Sequence, residues 1–190
     1  HQAADMLVAA YPIPVAPTHV PDLAKGAALY QQVCASCHGG PNLGGGAFVS
    51  IEGSVGTPAF HNIGLFNING TGAYPASNRG LIEFTGKPED MGKFRAPSLR
   101  NVEVTAPYMH DGSVATLEAV LDFYADGGRR IASGPYAGDG RLNPHKSELI
   151  SLIDLNAQDK SDLVAFLKTL TGERPKLEMP LLPPSTAKTP

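Results

Sequence analysis

Five consecutive residues, Cys34-Ala35-Ser36-Cys37-His38, constrain this chain more than any other feature. Two thiols three positions apart, followed at once by an imidazole, form the attachment site of a c-type haem. Two thioether bonds fix one edge of the porphyrin, and the adjacent histidine is held where its ring reaches the iron. A disulfide, a thioredoxin-like pair and half of a zinc site fit less well. Zinc calls for a second Cys or His pair at short spacing, and a redox pair of that type sits beside a βαβ pattern. Neither is present, and these are the only two cysteines. The expectation is one covalent haem c on Cys34 and Cys37, with His38 as the proximal iron ligand and the fold built around that apolar group.

Covalent haem points to an oxidising compartment, so the sequence reads as periplasmic. The opening His1-Gln2-Ala3-Ala4-Asp5 has no basic region, and the apolar stretch Met6 to Ala16 is broken by Pro12 and Pro14. It suits neither a signal peptide nor a membrane span, and the expectation is a mature chain or an excised segment. Net charge is −3 with no basic run, which argues against nucleic-acid or membrane-surface partners. Gly 21 and Pro 17 make up about a fifth of 190 residues, and only 17% are charged. A mainly α, cytochrome c-like domain follows, with few helices and long loops wrapped on one haem.

Residues 1–20 are Pro-rich and read as an extended arm or linker, residues 21–172 as the haem domain, and residues 173–190 as a Pro-rich tail. A helix starting at Pro21-Asp22 carries Leu23, Ala27, Leu29 and Tyr30 and delivers the cysteines at its end. Glycine and asparagine recur from Gly39 to Gly92, including Gly44-Gly45-Gly46, so this region reads as loop with room for short hairpins. A second helix follows Gly112, with Leu117, Val120, Leu121 and Tyr124 on one inward stripe and Gly127-Gly128 as its stop. A third runs from an Asn156 cap through Leu163, Phe166, Leu167 and Leu170 to Gly172.

The residue on the far side of the iron decides the chemistry. Met109, His110, Tyr124 and His61 are the main candidates; His19, His145, Met91 and Met179 are weaker. Methionine raises the potential and suits electron transfer, whereas tyrosinate stabilises ferric iron. The commonness of methionine in small electron carriers favours Met109. Tyr124 competes because it lies on the inward stripe about 10 Å along the axis from Leu117, although a core tyrosine with a hydrogen-bonded hydroxyl explains that place equally well.

The stretch Lys93-Phe94-Arg95-Ala96-Pro97-Ser98-Leu99-Arg100-Asn101-Val102, and its continuation Thr105-Ala106-Pro107-Tyr108-Met109-His110-Asp111-Gly112 to Thr116-Leu117-Glu118, resembles the C-terminal haem domain of bacterial di-haem cytochrome c peroxidases and MauG-type enzymes. Phe60-His61-Asn62-Ile63-Gly64-Leu65, Phe84-Thr85-Gly86-Lys87-Pro88-Glu89-Asp90 and the ending Leu167 to Pro184 resemble the same family, so the likeness covers about residues 22 to 184. It implies His38 as proximal ligand and Pro97 among the haem-contacting residues. It also implies Tyr124 at the position of the sixth ligand, where peroxidases carry methionine and MauG-type enzymes tyrosine. Met109 then becomes a turn residue near the haem edge, and His110 a group behind the ligands. The carbonyls of Thr105 and Pro107 resemble the family's calcium ligands.

The family joins two haem domains, with the peroxide-reactive haem and its acid/base group in the N-terminal one. Here a single Cys-x-x-Cys-His follows only 33 residues. The chain therefore reads as a segment, as one subunit beside a second chain, or as a mono-haem relative. The favoured function is a redox module that transfers or stores electrons for a second haem domain or another redox protein. The alternative is a haem peroxidase reducing hydrogen peroxide with electrons from a donor cytochrome. That needs an internal base, for which His61 and His110 are the candidates, although both also read as structural or propionate-bonding histidines.

Overall fold

The computed structural model describes residues 20–38 and 60–172, so the arm at 1–19, the Gly44-Gly45-Gly46 run and the tail beyond 172 lie outside it. Helix α1, Leu23–Val33, starts where Asp22 accepts hydrogen bonds from the Ala24 and Lys25 amides at 2.9 and 3.0 Å. These satisfy donors that the first turn leaves unpaired. Cys34 caps its other end, and the short helix α2, Ala35–His38, follows at once.

Helix α5, Ala157–Thr169, opens on a capping box formed by Asn156 and Asp159. It packs along α1, and Gly26 is the point of closest approach: a β-carbon there would collide with the Asp162 carbonyl. The crossing is clamped by Asp162 Oδ1, which accepts from the Asp22 amide at 2.8 Å, and by Lys25 paired with Asp159 at 2.6 Å. Tyr30 and Phe166 meet between the helices with ring centroids 5.2 Å apart.

Helix α4, Leu117–Ala125, is capped by Thr116, whose hydroxyl accepts from the Ala119 amide at 3.1 Å. It ends where Gly127, at φ +69°, turns its amide back onto the Tyr124 carbonyl at 3.1 Å. Leu117 and Leu121 join Tyr30, Val102, Leu163, Val164, Phe166 and Leu167 in one buried cluster. Phe123, on another face, joins Leu65, Phe66 and Tyr74 in a second.

The domain is cytochrome c-like in its few helices and long connections, and it also contains strands. Strand β1, Phe60–His61, pairs antiparallel with β2, Phe94–Arg95, placing His61 opposite Phe94. The segment between them includes the one-turn helix α3, Ile82–Thr85, a 3-10 turn at Pro88–Asp90, and a bridge between Ile68 and Ala73 around Asn69-Gly70. Further along, β3, Arg130–Ile131, pairs with β4, Gly138–Asp139. Among the described residues no helix is long and apolar enough to cross a membrane.

Gly26→Ala tests the helix crossing. Alanine improves helix propensity by up to about 1 kcal/mol, but overpacking against a main-chain carbonyl costs about 1–3 kcal/mol. The expected result is net destabilisation in urea unfolding, seen as a lower midpoint with an unchanged slope.

Candidate functional site

Between the two clusters lies a cavity of about 510 Å³, within the range of small-molecule and cofactor sites. Helices α1 and α2 supply Val33, Cys34, Cys37 and His38 to its wall; the β1–β2 ribbon supplies His61, Phe94 and Arg95; α4 supplies Leu117, Val120, Leu121 and Tyr124. Pro97, Thr105, Pro107, Met109 and His110 complete one side, and the loop from Leu149 to Leu155 another. The stripe read from the sequence of α4 is thus the helix's cavity face.

Both cysteines are free thiols. Burial, with Cys37 adding to it, pushes Cys34 up to about 12. Burial also raises Cys37, partly offset by the Ser36 hydroxyl 4.0 Å away. Reactive disulfide-exchanging cysteines need a depressed pKa, so these surroundings do not suit a thioredoxin-like pair. Among the described residues, no group of three or more His, Cys, Asp or Glu side chains gathers to hold a metal ion.

His38 Nδ1 stands 2.8 Å from the Pro97 carbonyl. A carbonyl only accepts, so Nδ1 carries the proton and Nε2 keeps its lone pair. Burial lowers the pKa of this ring, with the Pro97 contact opposing, and favours the neutral form that binds metals. Two thiols and a tautomerically fixed imidazole on the wall of one apolar cavity fit a covalently held haem.

Tyr124 and Met109 border the same cavity. Among the described residues the Tyr124 hydroxyl has no hydrogen-bond partner, unlike the Tyr74 hydroxyl, which donates to Asn62 Oδ1 at 2.8 Å, and the Tyr108 hydroxyl, which donates to the Val102 carbonyl at 2.9 Å. Burial, reinforced by Cys37 and Cys34, drives the Tyr124 phenol well above its ordinary pKa. Met109 sits in a turn at φ +67°. His110 stacks on Phe94, with centroids 3.7 Å apart and planes within 12°. His61 contacts the Ser147 hydroxyl through Nδ1 at 3.3 Å, and its Nε2 is buried without a hydrogen-bond partner.

Of the weaker candidates, Met91 and His145 are not on the cavity wall, and His19 and Met179 lie outside the described residues. The sequence reading did not single out Arg129, which is 2% exposed. Its guanidinium donates to the Leu65 carbonyl at 3.1 Å and to Ser113 Oγ at 2.8 Å, lies 3.7 Å from Asp111, and covers the Phe66 ring at 4.5 Å. It thereby pins the turn that carries Met109 and His110. Ser147, partner of His61, was also missed.

The family described as RoxA-like, cytochrome c-like matches residues 93–125. Cytochrome c551 peroxidase of Nitrosomonas europaea is 34% identical over 157 residues, which cover 83% of this chain and 36% of that protein. Methylamine utilization protein MauG of Methylorubrum extorquens is 34% identical over 125 residues, covering 66% of this chain and 30% of its own length. A solved MauG-like protein associated with microbial copper homeostasis superposes with a TM-score of 0.70 at 56% identity, over 82% of this chain and 48% of that one. The chain thus spans less than half the length of each of these relatives. Together with the cytochrome c-like fold, these likenesses show that the chain belongs to the di-haem cytochrome c peroxidase and MauG family.

Proposed function

We propose that this chain is the electron-handling haem module of a peroxidase- or MauG-like system, with Cys34 and Cys37 carrying one haem c, His38 as proximal ligand and Tyr124 as sixth ligand. The observation that carries this reading is the His38 Nδ1 to Pro97 carbonyl contact at 2.8 Å, beside two free thiols on the wall of an apolar cavity. Haem held here supplies one-electron iron chemistry. Pro97 orients the imidazole and fixes its tautomer. The apolar wall excludes water, and Arg129 holds the Met109–His110 turn in place. Tyr124 is preferred over Met109 because it stands on a rigid helix with a hydroxyl that finds no partner within the described protein. Burial alone keeps that hydroxyl protonated; a ferric cation within bonding distance reverses the preference.

The same reading places residues 21–172 as the haem domain, flanked by an arm at 1–20 and a tail at 173–190. It puts the protein in the periplasm, where thioether attachment proceeds under oxidising conditions. Its redox partner is a second haem domain or another redox protein, which accords with relatives more than twice as long as the matched region. A calcium ion on the Thr105 and Pro107 carbonyls needs an anionic ligand from elsewhere.

Three measurements test this. The intact mass of the denatured protein should exceed the polypeptide mass by one haem, and Cys34→Ala with Cys37→Ala should abolish that increment; haem released by acid extraction overturns the attachment. Tyr124→Phe keeps the ring volume, so stability should change by less than about 1.5 kcal/mol. Its ferric spectrum should move toward open or water-bound iron and its potential should rise, while Met109→Leu does neither. A sulfur-to-iron charge-transfer band in the wild type, lost only in Met109→Leu, gives the ligand role to Met109. Finally, this chain alone should turn over hydrogen peroxide poorly with a reduced cytochrome donor, and brisk turnover makes it a peroxidase in its own right.

A further inference from the structure

The haem reading leaves one buried group without a role. His61 contributes a single ring nitrogen to the protein's own hydrogen bonds. Nδ1 lies 3.3 Å from Ser147 Oγ, while Nε2, on a side chain that borders the cavity, is buried and unpaired. Leaving a buried donor or acceptor unsatisfied costs about 1–3 kcal/mol, and native folds rarely tolerate it.

The surroundings of Ser147 decide which nitrogen carries the proton. Its Oγ accepts from the Leu149 amide at 3.4 Å, and its own amide donates to the Asn62 carbonyl at 2.8 Å. The serine is therefore anchored to the residue next to His61. Its hydroxyl proton has no other acceptor among the described residues, so donation to His61 Nδ1 is the arrangement that satisfies both groups. The proton of the neutral imidazole then sits on Nε2, a donor without a partner among the described residues, on a side chain that borders the cavity. Burial, with His38 and Lys93, lowers the pKa of this ring and favours that neutral form.

A c-type haem brings two carboxylate side chains into the protein, and a buried carboxylate requires donors. Among the described residues that border the cavity, Arg95 is the sole Lys or Arg, and it follows Phe94, the residue paired with His61 on the ribbon. Of the other two imidazoles on the wall, His38 has its Nδ1 proton on the Pro97 carbonyl, and His110 is stacked on Phe94.

We propose that His61 Nε2–H is the hydrogen-bond donor to a haem carboxylate, with the tautomer set by Ser147 and with Arg95 beside it on the β1–β2 ribbon. The bond is charge-assisted. By drawing charge away from the carboxylate it weakens the negative field at the iron and favours the ferrous state. This inference rests on the haem reading above and deepens it.

The test uses the haem-loaded full chain. Intact mass is read first: a wild type without covalent haem removes the haem reading itself, independently of His61. With haem present, His61→Phe should retain the sixth ligand, shift the carboxylate bending mode in the resonance Raman spectrum, and move the ferric–ferrous equilibrium about tenfold toward ferric, or about 59 mV for one electron. Ser147→Ala should move both readouts in the same direction by less. His61→Gln keeps an N–H at comparable reach and should stay at wild-type values; it also decides the matter should His61→Phe not mature with haem. An unchanged bending mode and potential in His61→Phe overturns the proposal, as does a His61→Gln protein that departs from wild type. Loss of the wild-type axial-ligand spectrum in His61→Phe also overturns it, by making His61 an iron ligand.

Discussion

Neither apolar cluster closes over itself; each gives one wall to the same cavity. Val102, Leu117, Leu121 and Leu167 of the first face it, as do Ile63, Phe94, Met109 and Tyr124, which border the second. Interiors are normally packed to crystal-like density, so a domain of this size that divides its core is shaped by what lies between the halves. Helix α4 holds the two sides in register, because Leu121 and Phe123 enter different clusters from the same two turns. The close fit of α1 against α5 then sets where the thiols of Cys34 and Cys37 stand on the cavity wall.

Two of the three imidazoles on the cavity wall are each oriented by an oxygen of the protein. Pro97 does this for His38, and Ser147 for His61. With Ser147 donating as proposed, the two partners select opposite tautomers, since a carbonyl can only accept whereas a hydroxyl can also donate. One ring thus presents a lone pair to the cavity and the other a proton. The phenols divide in a similar way. Tyr74 and Tyr108 are satisfied within the protein, and Tyr124 is the one on α4 whose hydroxyl is left to the cavity.

The three long helices were legible in the sequence because local signals agreed: Asp22 and Asn156 at the starts, Gly127 at a stop, and an apolar period between. The cysteine and histidine positions were legible because their motif is contiguous. The β1–β2 ribbon was not, since strands of two residues show no alternation and their partners lie more than thirty positions apart. Arg129 could not be told from Arg130 by composition or spacing, yet one is 2% exposed and the other lies on the surface. Ser147 acts on a residue 86 positions away, a pairing that only the folded chain creates.

The clamp between α1 and α5 joins residues 140 positions apart, Asp22 and Asp162. Ribosomal synthesis makes the first of these long before the second, and contacts so distant in sequence form late. Until α5 docks, the face of α1 around Gly26 that leads to Cys34 and Cys37 lacks the surface it packs on. With the clamp closed, Cys34 is half-buried on the cavity wall, and desolvation makes its thiol hard to ionise. The topology therefore ties the setting of both cysteines to a contact 140 positions away: the groove that holds them on the cavity wall is complete only when α5 has docked.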